Sequence, residues 1–399
     1  MPAFDLFQLL ASLSPEQRVV GELNTEMLND QIDGSLLDDK PMYEGKNPFL
    51  QKEPWCANCH SRPDAGLLLC SHCSTAWYCN KTCQKIHFRA HHKSICKDIS
   101  KHQHSVKQEA QRLRKTPFGT DRARQNVFET QAGYFSQGEQ TDHYMSARES
   151  LTQSYFDAAL DVHIQSVWEK ALFEALATFR LDVAADAEEI WFIIPYILLY
   201  LDRDDDVLAF IRHLTQVDAE QNMEELVRRH IESHEGEWIF PSEKDCRFLD
   251  IFEQRSNAND YSLPIHILVP LLLIKLRLVA TYDSIKKAIE VVFETTGGQR
   301  IQVVRDRVTD MLMERSLQNL NIDAQREQID HLMEVIDMVN PAVLPTMVDP
   351  DPLMDRFESQ REMPAHLLEA LENIPRCNPC FNRIPGARRV LARHLDRKK

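Results

Sequence analysis

Between residues 98 and 399, apolar side chains return every three or four positions, the period of amphipathic helices. After Val167–Lys170, one such face is marked by Leu172, Ala175, Leu176 and Phe179. The run Ile190–Leu201 (IWFIIPYILLYL) is apolar at nearly every position. A charged break at Asp202–Asp206 separates it from a further stripe at Leu208, Ile211 and Leu214. A like unit recurs downstream: IHILVPLLLIKLRLVATY is followed by SIKKAIEVVFETTGG, where Gly297 and Gly298 read as a helix C-cap. Pro195 and Pro270 hold the same place in the two units, each followed by apolar residues at +2, +3, +4 and +6. That weak repeat suggests stacked helix pairs, a solenoid-like arrangement. Val303, Val304, Val308, Met311 and Leu312 predict one more helix, and Ile329, Leu332, Met333 and Ile336 another. Residues 340–352 (NPAVLPTMVDPDP) read as a Pro-rich linker. A last short helical unit runs from Leu367 into the basic tail RHLDRKK.

Two segments break this pattern. Residues 1–53 show little periodicity beyond Phe4, Phe7 and Leu10, and carry ten Asp/Glu against four Lys/Arg. An acidic, partly irregular or loosely docked N-terminal segment is expected there. Residues 54–97 reverse the sign: Arg62, Lys81, Lys85, Arg89, Lys93 and Lys97 face Asp64 alone, a net of +5. The whole chain carries −15, which leaves −14 on residues 98–399 and argues against bulk nucleic acid as a partner. Glycine is scarce, 11 of 399 residues, which leans the chain further toward helix. The expected class is mainly α, with a small stapled segment at 54–97 ahead of a large all-α domain at 98–399. The apolar runs Ile190–Leu201 and Leu263–Ile274 fall short of the roughly 20 residues a membrane span needs. The N-terminus also lacks the positive n-region of a signal peptide. An intracellular protein, nuclear or cytoplasmic and without a membrane segment, is the expectation.

Seven of the ten cysteines crowd into positions 56–96, and in a reducing compartment such a cluster reads as metal ligands. The spacing is Cys56-x2-Cys59-x10-Cys70-x2-Cys73-x5-Cys79-x3-Cys83, then His92-x3-Cys96. Two CxxC knuckles, a helical i,i+4 Cys pair and a final His/Cys pair supply eight ligands. Eight ligands fill two closed tetrahedral sites and leave no position for water, so the metal is structural. Zinc suits soft thiolates that must not change redox state. Seven thiolates against two Zn²⁺ leave −3, which the basic side chains of the segment offset. About 40 residues hold too little core to fold alone, so the metal supplies the stability. Loss of Cys79 is accordingly expected to unfold this segment and leave the melting of residues 98–399 nearly unchanged. His92 keeps the His-x3-Cys spacing, with His91 the alternative ligand; His60, His72 and His87 read as bystanders.

The segment resembles the MYND family of zinc fingers, down to the Tyr78-Cys79, Cys83-Gln84 and His92-Lys93 steps. The resemblance implies a cross-brace: Cys56, Cys59, Cys79 and Cys83 hold one Zn²⁺, and Cys70, Cys73, His92 and Cys96 the other. Relatives bind short proline-containing peptides in a shallow groove lined by a Gln and a Trp after the sixth cysteine. Here those positions are Gln84 and Phe88, so the apolar face is kept and the indole N–H is lost. Phe88 either lines that groove or packs against the zinc arms. A further departure is the His91-His92 doublet, which makes its arm one residue longer than the family's. Lys81, Lys85, Arg89 and Lys93 recur every four residues, either to steer acidic partners or as a solvated face that balances thiolate charge.

Two functions compete. One is a non-catalytic adaptor, in which the finger binds a peptide of a protein partner and the helical domain adds a scaffold. The other is a lysine methyltransferase, because one MYND subfamily sets the finger in a SET domain. The chain has no Asn-His dipeptide and no Gly-rich cofactor loop, which disfavours the enzyme. Other motifs carry less. DRDDDV (202–207) lacks the Gly and Glu of a calcium loop and reads as a turn with capping aspartates. His230-x3-His234 reads as surface, Cys377-x2-Cys380 as packing, and Cys246 as a core thiol.

Overall fold

The computed structural model describes residues 50–64, 66–115, 127–130, 132–135, 139–182, 188–219, 227, 244–250, 263–296, 306, 309–310, 312–313, 315–359 and 363–398. The expectations for residues 1–49, for His230 and His234, for the Gly297–Gly298 cap and for Val303–Met311 lie outside the described residues or nearly so.

The described fold is mainly α. Two short strands, β1 (Leu68–Leu69) and β2 (Trp77–Tyr78), pair antiparallel with Leu68 opposite Tyr78. Helix α1 (Lys81–His87) runs through a π-turn at Phe88–His92 into the long α2 (Lys93–Lys115). Beyond a single turn, α3 (Val127–Thr130), the antiparallel pair α4 (Asp142–Val162) and α5 (Gln165–Phe179) follows. The corner between them is His163, whose left-handed φ of 53° ends α4. Then come α6 (Glu188–Tyr200) and α7 (Asp204–Ala219), the long α8 (Ile265–Thr296), and a turn, α9 (Arg315–Gln318). The C-terminal part holds α10 (Ile322–Val339), α11 (Val343–Val348), α12 (Asp351–Ser359), α13 (Ala365–Phe381) and α14 (Ala387–Arg397).

A helix that is apolar on all sides must be covered on all sides. α6 is such a helix: Ile193, Ile194 and every residue from Tyr196 to Tyr200 are buried. It touches α4, α5, α7, α8 and α13, so the helix pairs close round a centre and do not stack in a row. A solenoid repeat keeps one outward polar face per helix, and the described side chains of α6, 190–200, present none. The two proline-bearing runs, in α6 and α8, are both buried and pack on each other.

The downstream unit also differs from the expected helix pair. α8 continues unbroken from Ile265 to Thr296, because the single Asp283 does not interrupt it as the run Asp202–Asp206 ends α6. Its stretch Ile265–Phe293 is long and apolar enough to cross a membrane, and 67% of its most apolar window is buried inside the protein. Within that window Lys275 is buried, and its ammonium donates to the carbonyls of Arg247 and Leu249 and to Gln325 Oε1.

Residues 340–352 are not a linker. Val343, Leu344 and Met347 of α11 sit in the core, and α11 packs on α13 and α14. The prolines start helices here. Pro345 lies in the first turn of α11, where a backbone N–H has no partner to lose, and the Pro350 carbonyl accepts the first bonds of α12 from Leu353 and Met354. The aspartates of the α6–α7 turn tie distant segments together. Asp205 accepts from the backbone N–H of Asp245 and Arg247, and Asp204 pairs with Arg277 of α8 at 2.7 Å. Cys377 and Cys380 are fully buried in α13, where burial pushes the Cys380 thiol up to about 11 and the Cys377 thiol higher, as inert packing residues require.

The segment that begins at Leu50 is part of the same core. Gln51 exchanges backbone hydrogen bonds with His163 and Gln165 at the α4–α5 corner, at 2.9 and 2.8 Å. Along α2, Gln103 donates to Tyr155 Oη at 2.7 Å and His102 Nδ1 meets Ser154 Oγ at 2.8 Å, both on α4. One hydrophobic cluster runs from Cys56, Cys73, Tyr78 and Ile99 through Tyr155 and Phe156 to α6 and α8. The expectation that residues 56–96 unfold without disturbing the helices therefore does not fit this packing: they are one wall of a shared core.

Candidate metal centre

The two CxxC knuckles have the same backbone. His60 N–H donates to Cys56 O at 2.8 Å and Ser74 N–H to Cys70 O at 2.9 Å, and both residues after the second cysteine are left-handed, with φ of 58° and 57°. That turn points two thiols to one side. β1 and β2 frame the second knuckle, and the Ala57 N–H to Trp77 O bond ties the first knuckle to β2. The last ligands come from helices. Asn80 caps α1, its side-chain oxygen accepting from Cys83 N–H at 2.9 Å, which fixes the helix phase that aims Cys83 back at Cys79.

Two groups of four result. Cys56, Cys59, Cys79 and Cys83 form one, and Cys70, Cys73, His92 and Cys96 the other, with all ligand atoms of a group within 4.8 Å of one another. Zinc–sulphur bonds of about 2.3 Å imply sulphur–sulphur distances of about 3.8 Å round a tetrahedron. The observed distances are 3.7 Å for Cys59–Cys79, 3.4 Å for Cys79–Cys83 and 3.8 Å for Cys70–Cys96, with His92 Nε2 3.2 Å from Cys73 Sγ. The donor set and its spacing fit two structural Zn²⁺ ions. Their chemistry is to neutralise thiolates and fix chain segments.

Electrostatics point the same way, since thiolates this close cannot all ionise unaided. Hydrogen bonds from the Ser61 side chain and backbone hold the Cys59 thiol down at about 6, while the Cys83 side chain pushes Cys79 up to about 12. In the other group, hydrogen bonding between the two side chains lowers Cys70 and raises Cys73, and burial pushes Cys96 up to about 11. A divalent cation removes the conflict and lets every thiol ionise.

The structure places His92 buried at the second group and His91 exposed. The reason is the π-turn at Phe88–His92, which takes up one extra residue in a helix and so absorbs the His91-His92 doublet. His87 is more than a bystander. Its ring stacks on His92 at 5.7 Å, and its Nδ1 meets Tyr78 Oη at 3.1 Å. Burial pushes the His87 pKa down, keeping the ring neutral beside the zinc ligand. His60 and His72 are exposed.

Gln84 and Phe88 share one open groove of about 410 Å³ with Cys70, His72, Lys85, Arg89, Cys96, Lys97 and Ser100. Phe88 lines this groove and also packs against the core, its ring edge-on to His92 at 6.3 Å. Lys97 and Ser100 were missed in the sequence, because the π-turn shifts the helical phase that brings them into line with Gln84 and Phe88. Of the basic stripe, Lys85 and Arg89 face the groove, and Lys81 and Lys93 do not line it.

The family model of the MYND finger matches residues 56–96. This segment is a MYND finger. MYND fingers are zinc-dependent protein–protein interaction domains, and the match covers the finger alone, about a tenth of the chain. No curated protein and no solved structure matches the chain.

Proposed function

We infer that this protein is a non-catalytic, intracellular adaptor whose MYND finger holds a short proline-containing peptide of a protein partner while the helical domain serves as scaffold. The observation that carries this reading is the groove in which Gln84 and Phe88 lie side by side above the Cys70/Cys73/His92/Cys96 site. Zinc does not react here. It holds the knuckle and the helix that form the two walls. A shallow groove of this size buries little area, so single-peptide affinity is expected in the micromolar range or weaker.

The test is Phe88→Ala in the full chain, with peptide binding followed by fluorescence anisotropy and zinc counted by native mass spectrometry. Binding lost with both zincs in place supports the groove. Unchanged binding would move recognition to the helical domain. Loss of zinc would make Phe88 a core residue first. Against the methyltransferase alternative, no transfer of labelled methyl from S-adenosylmethionine to histones or lysate is expected; reproducible transfer by purified protein would remove the adaptor-only reading.

A further inference from the structure

The segment from Lys81 to Lys115 is helical throughout, through α1, the π-turn and α2. The groove follows one side of it. Gln84, Lys85, Phe88 and Arg89 come from the first part, Cys96, Lys97 and Ser100 from the second, and Cys70 and His72 of the knuckle form the opposite wall. At about 1.5 Å per residue, Gln84 to Ser100 spans at most roughly 24 Å, the reach of no more than about seven residues of extended peptide. The groove therefore continues past the finger onto the helix that packs against α4.

Charge along this groove is one-sided. Lys85, Arg89 and Lys97 are exposed on its rim, and among the described residues no carboxylate lines it. A Zn²⁺ with three thiolates beneath them contributes −1, so the local balance is about +2 on a chain of −15. The other flank of α2 is the reverse. There a cleft of about 500 Å³ between α2 and α4 is lined by Asp98, Glu149 and Asp157 and, among the described residues, by no Lys or Arg. α2 thus separates a basic groove from an acidic cleft, and a bound chain senses both fields: attraction in the groove, repulsion from positions over the cleft.

Resting on the peptide-groove reading, we propose that the occupant is an acidic peptide of a protein partner. It would be extended over up to about seven residues, with an apolar or proline residue against Phe88 and Asp or Glu side chains beside Lys85, Arg89 and Lys97. Nucleic acid fits less well, because among its described residues the groove offers one aromatic platform, Phe88, on a strongly acidic body.

The experiment uses the zinc-loaded full chain and three fluorescein-labelled peptides sharing a Pro-Ala-Leu-Pro centre, flanked on both sides by two Glu, two Gln or two Lys. At 50 mM salt the Glu peptide is expected to bind about ten-fold more tightly than the Gln twin. At 300 mM salt the gap should shrink to about three-fold or less, since exposed charges are screened within about 10 Å at 0.1 M. Lys85→Glu with Arg89→Glu should invert the order in favour of the Lys peptide while two zincs remain. Lys97→Glu, on α2, should weaken the Glu peptide about three-fold, and serves alone if the double variant loses metal. Equal binding of Glu and Gln twins, both abolished by Phe88→Ala, would overturn the acidic preference and leave the groove intact. No binding of any twin at millimolar concentration would overturn both. A phosphoserine-flanked twin ten-fold tighter than the Glu twin, or displacement by oligouridylate at equal concentration, would reassign the rim to phosphate.

Discussion

The two metal groups of the finger are built from the same chemistry and are buried to different degrees. In the Cys56/Cys59/Cys79/Cys83 group, Cys56 is buried in the shared core, but Cys59 is exposed and Cys79 and Cys83 are only half-buried. In the Cys70/Cys73/His92/Cys96 group every ligand is buried, none above 5% exposed, and Cys96 sits one turn before Ile99, a residue of the shared core. The first site holds a knuckle to a short helix at the surface. The second is a strut between the finger and the helices. Ligand identity makes both of them zinc sites; burial decides what each one stabilises.

The sharpest way to break this contrast is to remove one ligand from each site. Cys96→Ser forfeits zinc binding on the order of 10 kcal/mol inside the common core. It is expected to lower the melting of the whole chain as one transition, measured by circular dichroism at 222 nm. Cys79→Ser should release one zinc and loosen the surface knuckle, and leave the main helical transition within a few degrees. If the two variants melt alike, burial does not distinguish the sites.

Release kinetics should show a smaller difference. Exposed thiolates react first, so under hydrogen peroxide with a chromogenic chelator one zinc is expected to leave about ten-fold faster than the second. Peptide mapping should then find modification at Cys59, Cys79 or Cys83. A single phase for both zincs would contradict the difference in access.

The π-turn offers a third comparison, between neighbouring histidines. His92→Ala should lose one zinc, whereas deletion of His91 should be tolerated, since it converts the π-turn to ordinary α-helix and leaves His92 and Cys96 in place. Native mass spectrometry checks both; loss of metal on deleting His91 would mean that the turn is needed for more than phase.

The smallest effect is expected at the cap. Asn80→Ala removes the bond to Cys83 N–H, costing about 1 kcal/mol, or roughly five-fold in zinc affinity at the exposed site. The buried site should keep its zinc against the same competing chelator.

The ligands were legible because metal chemistry is local: the intervals between Cys56 and Cys96 state how many tetrahedral corners each segment can fill. Helical class was legible for the same reason, since a 3.6-residue period is written within each segment. Leu172, Ala175 and Phe179 and Ile329, Leu332 and Ile336 all lie on buried helix faces as their spacing predicted. Local pattern misled where one signal has two outcomes. The prolines of 340–352 mark loops or helix starts alike, and the choice fell to the core that Val343 and Met347 enter.

By itself, then, the sequence determined the two-zinc finger, its ligand inventory and the mainly α body, all set by contacts within a few turns of chain. Tertiary structure alone decided the rest. Asp204 finds Arg277 across 73 residues and Asp205 finds Arg247 across 42, and no local periodicity encodes such a pairing. α6 announces that it must be buried without saying by what. The finger's second zinc became part of the protein's core because α2 happens to lie along α4, a fact of packing between surfaces that periodicity can only declare apolar.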